Sequence, residues 1–134
     1  MKPGYRKTAT TLSSINYHLV FCPRYRRKIF LIDGVDRRFK DLINQICEQN
    51  AYELISVECA SDCCHIYVNV PPSASPRDVI KIIKGATSDA LRNEFKPLSK
   101  MPSLWTRCYF ATTESEMPQS LVDDFVKSQK TRYK

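Results

Sequence analysis

The 134 residues are enough for one domain and too few for two ordinary ones. Lys and Arg number 21 against 14 Asp and Glu, and the resulting formal charge of +7 favours a polyanionic partner. With only three glycines (Gly4, Gly34 and Gly85) the chain cannot build a GxGxxG turn, a phosphate loop or a GxSxG elbow, which excludes nucleotide-cradling and α/β-hydrolase chemistry.

A hydrophobic content of 43% supports a buried core. No apolar run approaches the roughly 20 residues that span a bilayer. The opening residues are polar, so a cytoplasmic protein with neither membrane span nor secretory signal is expected. Six cysteines (Cys22, Cys47, Cys59, Cys63, Cys64 and Cys108) lack the spacing of a disulfide framework. Reduced thiols that mostly fill the core are the expectation. Cys59, Cys63, Cys64 and His65 cluster, but no second CxxC or HxxxH pair completes a closed zinc site.

Residues 1–12 are basic and Thr-rich and read as a loose arm on a single domain spanning 1–134. From Ser14 to Phe21 the alternation predicts a half-buried strand, with Ile15, Tyr17, Leu19 and Phe21 on one face and Asn16, His18 and Val20 on the other. Pro23 ends it. A basic run with an aromatic inside follows: Arg24, Tyr25, Arg26, Arg27 and Lys28. Asp33 is the expected cap of a first helix, with Asp36 in its first turn and Val35, Phe39, Leu42, Ile43 and Ile46 at helical spacing.

Two strands are predicted next, at about Tyr52–Cys59 and Cys63–Val70, joined by Ala60, Ser61 and Asp62. In the second, Cys64, Ile66, Val68 and Val70 form the core face, leaving Cys63, His65, Tyr67 and Asn69 on a working face. Ser75, Pro76 and Asp78 start a second helix with an expected stripe of Val79, Ile82, Ile83, Ala86, Ala90, Leu91 and Phe95. Pro97 should stop it. Leu104–Thr113 reads as a fourth strand and Pro118–Thr131 as a last helix. The order β-α-β-β-α-β-α predicts an α+β, ferredoxin-like split βαββαβ sandwich with an antiparallel sheet and an extra C-terminal helix.

Imidazole comes only from His18 and His65. Strand alternation sets Cys63 and His65 side by side, within reach of one ion. Leu121, Phe125 and Gln129 share a face of the last helix, where the plain reading makes the first two core anchors. Cations interleaved with an aromatic at Arg24–Lys28, with Arg6, Lys7, Lys127, Lys130, Arg132 and Lys134 adding more, suit phosphate neutralisation and base stacking on single strands.

Over nearly its whole length the chain resembles the single-tyrosine transposases of the smallest insertion sequences, in the HUH nuclease superfamily, REP-associated tyrosine transposases included. The resemblance rests on four collinear segments: Tyr17 through Lys28, Ile80 through Gly85, Leu104 through Phe110, and Phe125 through Gln129. It implies a prokaryotic, cytoplasmic DNA-transposition and recombination enzyme working as a homodimer on single-stranded DNA hairpins, with no membrane partner. In the family a tyrosine hydroxyl attacks the scissile phosphate to give a 5′-phosphotyrosine. A divalent ion, magnesium or manganese, is held by two histidines and a glutamine.

Carried onto this chain, the metal positions are Cys63, His65 and Gln129, and the nucleophile position is Phe125. The resemblance also implies that Arg24, Tyr25, Arg26, Arg27, Lys28, Lys84 and Arg107 face DNA. Two departures stand out. Cys63 replaces a histidine, and a thiolate prefers a softer ion such as zinc. Phe125 has no oxygen to attack with. The expectation is therefore a degenerate active site with or without a bound ion. The alternatives are a repurposed, inactive hairpin-binding regulator, a zinc or thiol sensor, and an enzyme using a displaced hydroxyl at Tyr67 or Tyr133. Spatially, positions 63, 65 and 129 should share a pocket beside the ring of Phe125.

Overall fold

A computed structural model describes residues 4–129. The first described residues carry a small antiparallel ladder, β1 (Arg6–Lys7) and β2 (Leu12–Ser13), where the sequence suggested a loose arm. Four strands form the main sheet: β3 (Ile15–Phe21), β4 (Glu53–Cys59), β5 (Cys64–Val70) and β6 (Phe110–Thr112). Their order is β4-β5-β3-β6 and every pairing is antiparallel. With α1 (Val35–Gln49), α2 (Pro76–Glu94), a single turn α3 (Lys96–Ser99) and α4 (Gln119–Lys127), this is the predicted ferredoxin-like arrangement with its extra helix.

One sheet face is the core. Leu19 and Phe21 of β3 and Cys64, Ile66, Val68 and Val70 of β5 are buried against Val35, Phe39, Ile43 and Ile46 of α1 and Val79, Ile83 and Leu91 of α2. The alternation in β3 and β5 has the predicted phase, but β3 is not the half-buried strand expected, because His18 and Val20 on its other face are buried as well. Trp105 closes this core edge-on to Phe21, with ring centroids 4.8 Å apart at 90°. Its indole Nε1 donates to Thr87 Oγ1 at 3.0 Å, and Thr87 donates in turn to the Ile83 carbonyl at 2.7 Å. Thr87→Val keeps the volume and strands a buried indole N–H, so a loss of about 1–3 kcal/mol is expected in denaturant titration. Unchanged stability would mean that water reaches the indole.

Four local expectations are corrected. Asp33 does not cap α1: Gly34 occupies that place with φ 86°, and no side chain caps the helix. The left-handed backbone lets the chain turn sharply out of the preceding 3-10 turn at Ile29–Leu31, and a Cβ at Gly34 would come within 3.3 Å of the Phe95 ring. The stripe of α2 is rotated, burying Ile80 and Thr87 and leaving Ile82 36% exposed and Ala86 exposed. Apolar residues at 79, 80, 82 and 83 allow either rotation, and Thr87 can turn inward because both its hydrogen bonds are made.

The fourth strand is confined to Phe110–Thr112. Upstream, Trp105 makes only an isolated bridge to Pro23, and Lys84 Nζ takes the carbonyls of Thr106 at 2.7 Å and Cys108 at 3.2 Å, holding 106–108 out of the ladder. Finally, α4 ends at Lys127, short of Thr131. Residues 130–134, with Tyr133 and the tail cations Lys130, Arg132 and Lys134, lie outside the described residues.

No described helix is long and apolar enough to cross a membrane. All six cysteines are free; Cys22, Cys47 and Cys64 are buried and Cys108 is exposed, so core filling accounts for only some of them.

Candidate active site and nucleic-acid interface

The sheet face away from α1 and α2 carries Asn16, His18 and Val20 from β3 beside Cys63, His65, Tyr67 and Asn69. At one end Asn69 Oδ1 accepts from Arg6 Nε at 2.6 Å, and Asn69 Nδ2 donates to Asn16 Oδ1 at 2.7 Å, tying the N-terminal segment to the sheet. At the other end the 113–118 loop and α4 lie over the face.

The two histidines meet there. The register pairs His18 with Tyr67 and Val20 with His65, so the imidazoles are diagonal neighbours. His18 Nδ1 and His65 Nε2 are 2.9 Å apart, and His18 Nε2 is 3.2 Å from the Ser115 carbonyl. A carbonyl can only accept, so His18 Nε2 carries a hydrogen. In the neutral pair His18 Nδ1 is then bare and accepts from His65 Nε2–H, which leaves Nδ1 as the acceptor nitrogen of His65. Burial and the neighbouring His18 hold the His65 pKa below the ordinary histidine value, favouring that neutral state. Tyr67 stacks on His18 with centroids 3.8 Å apart. His18 ranked below His65 in the sequence; the signal was its strand phase, which needed the pairing register to become a contact.

Cys63 and His65 share a cavity of about 240 Å³ with Glu58, Gln119 and Val122. Burial, with Asp62 adding to it, pushes the Cys63 thiol up, so it stays protonated at neutral pH. Gln129 is elsewhere. It lines a second cavity of about 450 Å³ with Arg24, Tyr25, Thr106, Arg107, Cys108 and Ser128, and its Nε2 donates to the Phe125 carbonyl at 3.1 Å. The Phe125 ring packs on Phe110, centroids 6.0 Å apart. Within one chain, positions 63 and 65 line one cavity and position 129 lines the other.

The donor set also fails to fit a hard divalent ion. One position offers a soft sulfur donor, His65 Nε2 is engaged by His18, and the Gln129 carboxamide lines another cavity. Among the described residues no three His, Cys, Asp or Glu side chains are grouped to hold a metal ion.

The basic segment is better formed. Tyr25 and Arg26 both have positive φ, 58° and 51°, a left-handed pair that costs on the order of 1–2 kcal/mol per residue. Around that turn the guanidinium carbons of Arg24 and Arg27 lie over the Tyr25 ring, 5.5 and 5.8 Å from its centroid. Arg24 Nη1 donates to Ser103 Oγ at 2.7 Å, which fixes its stem to the 101–106 loop. Arg24, Arg27, Lys28 and Arg107 are exposed.

Two of the cations carried over as DNA contacts are differently employed. Arg26 pairs with Asp62 at 3.0 Å, stitching the basic turn to the β4–β5 connection. Lys84 is partly buried over the rings of Phe21 and Tyr109 while it clamps the two carbonyls, and burial lowers its pKa.

Comparison with known proteins gives one consistent result. The family described as "Transposase IS200 like" matches residues 11–129. The ISDra2 transposase TnpA of Deinococcus radiodurans is 28% identical over 118 residues, 86% of this chain and 84% of that protein. The transposase for insertion sequence element IS200 of Salmonella typhimurium is 28% identical over 128 residues, 92% of this chain and 82% of that one. A solved transposase structure from Deinococcus radiodurans superposes with a TM-score of 0.85 at 27% identity, covering 95% of this chain and 99% of the other. A REP-associated tyrosine transposase solved on a REP hairpin gives 0.57 at 8% identity, covering 88% and 67%, a likeness of fold.

Proposed function

This chain belongs to the IS200-like transposase family, and from that membership we propose that it grips single-stranded DNA hairpins as a homodimer while its cleavage centre is disabled. It works as one domain over residues 1–134, beside the DNA in a prokaryotic cytoplasm. The hairpin seen on the REP-associated transposase supports the choice of ligand.

The observation that carries the reading is a separation of two parts. The cation-bearing turn around Tyr25 is formed, with the left-handed backbone, the two guanidinium contacts and the 450 Å³ cavity beside it. The positions that would cut hold a thiol at Cys63 in place of an imidazole and an oxygen-free ring at Phe125. No rotation of a benzyl group supplies an attacking lone pair. What remains is recognition, in which exposed guanidinium and ammonium groups neutralise phosphates and release counterions.

A DNA hairpin with single-stranded flanks is expected to bind more tightly than an unstructured strand of equal length. Four exposed cations on phosphates imply a log–log salt slope of about −3 for single strands. Titration by fluorescence anisotropy at several salt concentrations checks both. Equal affinity for the two DNAs would remove the hairpin from the proposal, and a salt-independent affinity would remove the phosphate contacts.

A further inference from the structure

Gly85 lies in the middle of α2, and nothing in the fold asks for a glycine there. Its backbone is ordinary helix rather than left-handed, and a Cβ built on it would meet no atom within 4 Å. A helix-interior glycine forgoes stability relative to alanine, because it orders a freer backbone. This chain's own packing therefore does not explain the missing methyl, whereas close approach of a ligand's backbone does. The face around it is cationic: Arg77, Lys81, Gly85, Ser88 and Arg92 follow one another at helical spacings of three and four. Arg77 and Lys81 are exposed, and among the described residues neither pairs with a carboxylate.

We propose that Gly85 is the point at which the sugar–phosphate backbone of a DNA hairpin stem lies against α2. The assignment rests on the hairpin-binding reading above and adds to it a defined place for the stem. A groove of about 310 Å³ opens between α2, at Gly85, Ser88 and Asp89, and the loop carrying Ser103, Trp105 and Thr106. Ser103 also accepts a hydrogen bond from Arg24, so the loop wall is continuous with the basic turn. Lys81, one turn before Gly85, and Arg24, at Ser103, supply positive charge for phosphates from the two walls. Lys84 lines the same groove but commits its ammonium to the carbonyls of Thr106 and Cys108, which fixes the loop wall in place. Asp89, one turn after Gly85, repels phosphate and keeps the backbone on the Lys81 side. A stem is the fitting partner because duplex DNA is stiff over about 150 base pairs. A single strand can bend around one added side chain; a stem cannot.

The test titrates four proteins with a blunt DNA hairpin and with an unstructured strand of equal length. Gly85→Ala should melt about 3–5 °C above the parent, since the new methyl has room and a helix favours alanine. It should nonetheless bind the hairpin more weakly than the parent. Gly85→Gln, also a good helix former, should melt no lower than the parent and lose at least about tenfold in hairpin affinity. Its affinity for the unstructured strand should stay within about twofold of the parent's. Ala86→Gln, exposed one residue on and outside the groove wall, should keep the hairpin affinity. Parental hairpin affinity in Gly85→Gln would overturn the stem contact and leave hairpin recognition standing, as would a loss as large in Ala86→Gln. Melting of Gly85→Ala below the parent would make the glycine a structural requirement and overturn the contact too. Failure of the parent to prefer the hairpin over the unstructured strand would overturn the hairpin-binding reading and the stem contact together.

Discussion

Ile83→Asp is expected to leave the chain unfolded in buffer, with no cooperative melting transition by circular dichroism. Ile83 has no exposed surface and sits where α2 meets the sheet. Its carbonyl also anchors the Thr87 hydroxyl that receives the Trp105 indole. Aspartate there removes the packing of a buried aliphatic side chain and introduces a carboxylate with no cation in the core. The two effects together reach about 5 kcal/mol or more, comparable to the whole stability of an ordinary small domain. The control is Ile82→Asp one residue away. Ile82 is 36% exposed, and its variant should melt close to the parent. A native-like transition in Ile83→Asp, or collapse of Ile82→Asp, would show that the rotation of α2 is misassigned.

The second large effect concerns cleavage. The parent protein, incubated with end-labelled hairpin and manganese, should form no covalent protein–DNA adduct. Phe125→Tyr alone returns the attacking oxygen but leaves the protonated thiol at position 63. Cys63→His alone returns an imidazole with no nucleophile to assist. Adduct formation at least about 10³-fold above the parent is expected only when both changes are combined, because groups that act as a unit fail together. Recovery would also report that the end of α4 bearing Gln129 can reach His65, from the same subunit or from a second copy. An adduct in the parent that vanishes in Tyr67→Phe would sink the account, since it would place the nucleophile on β5 beside His65.

The contrast between the two histidines shows where sequence reading reached its limit. Alternation alone put His18 on one strand face and His65 on another, each next to polar neighbours. Only the register, with His18 opposite Tyr67 and Val20 opposite His65, turns them into a hydrogen-bonded pair whose proton positions are set by the Ser115 carbonyl. That carbonyl is 97 positions away in the chain. Lys84 makes the same point. It lies off the apolar stripe and so reads as a surface cation, yet its ammonium is drawn in by two carbonyls from a segment that would otherwise extend the last strand.

Local patterning sufficed for what depends on local patterning. Period-two alternation identified β3 and β5 and their buried faces, the Ser75–Pro76–Asp78 cap located the start of α2, and the +7 charge with Arg24–Lys28 pointed to a polyanion. Residue chemistry at positions 63 and 125 is likewise written in the chain, because no fold can give a benzyl ring a hydroxyl. Tertiary structure decided the rest: which rotation of α2 is buried, that Arg26 pairs with Asp62, that Gln129 lines the cavity beside Tyr25, and that the chain turns through left-handed backbone at Tyr25 and Arg26. Each of these is a choice between nearly equal local options, and such a choice is made by partners far away in sequence.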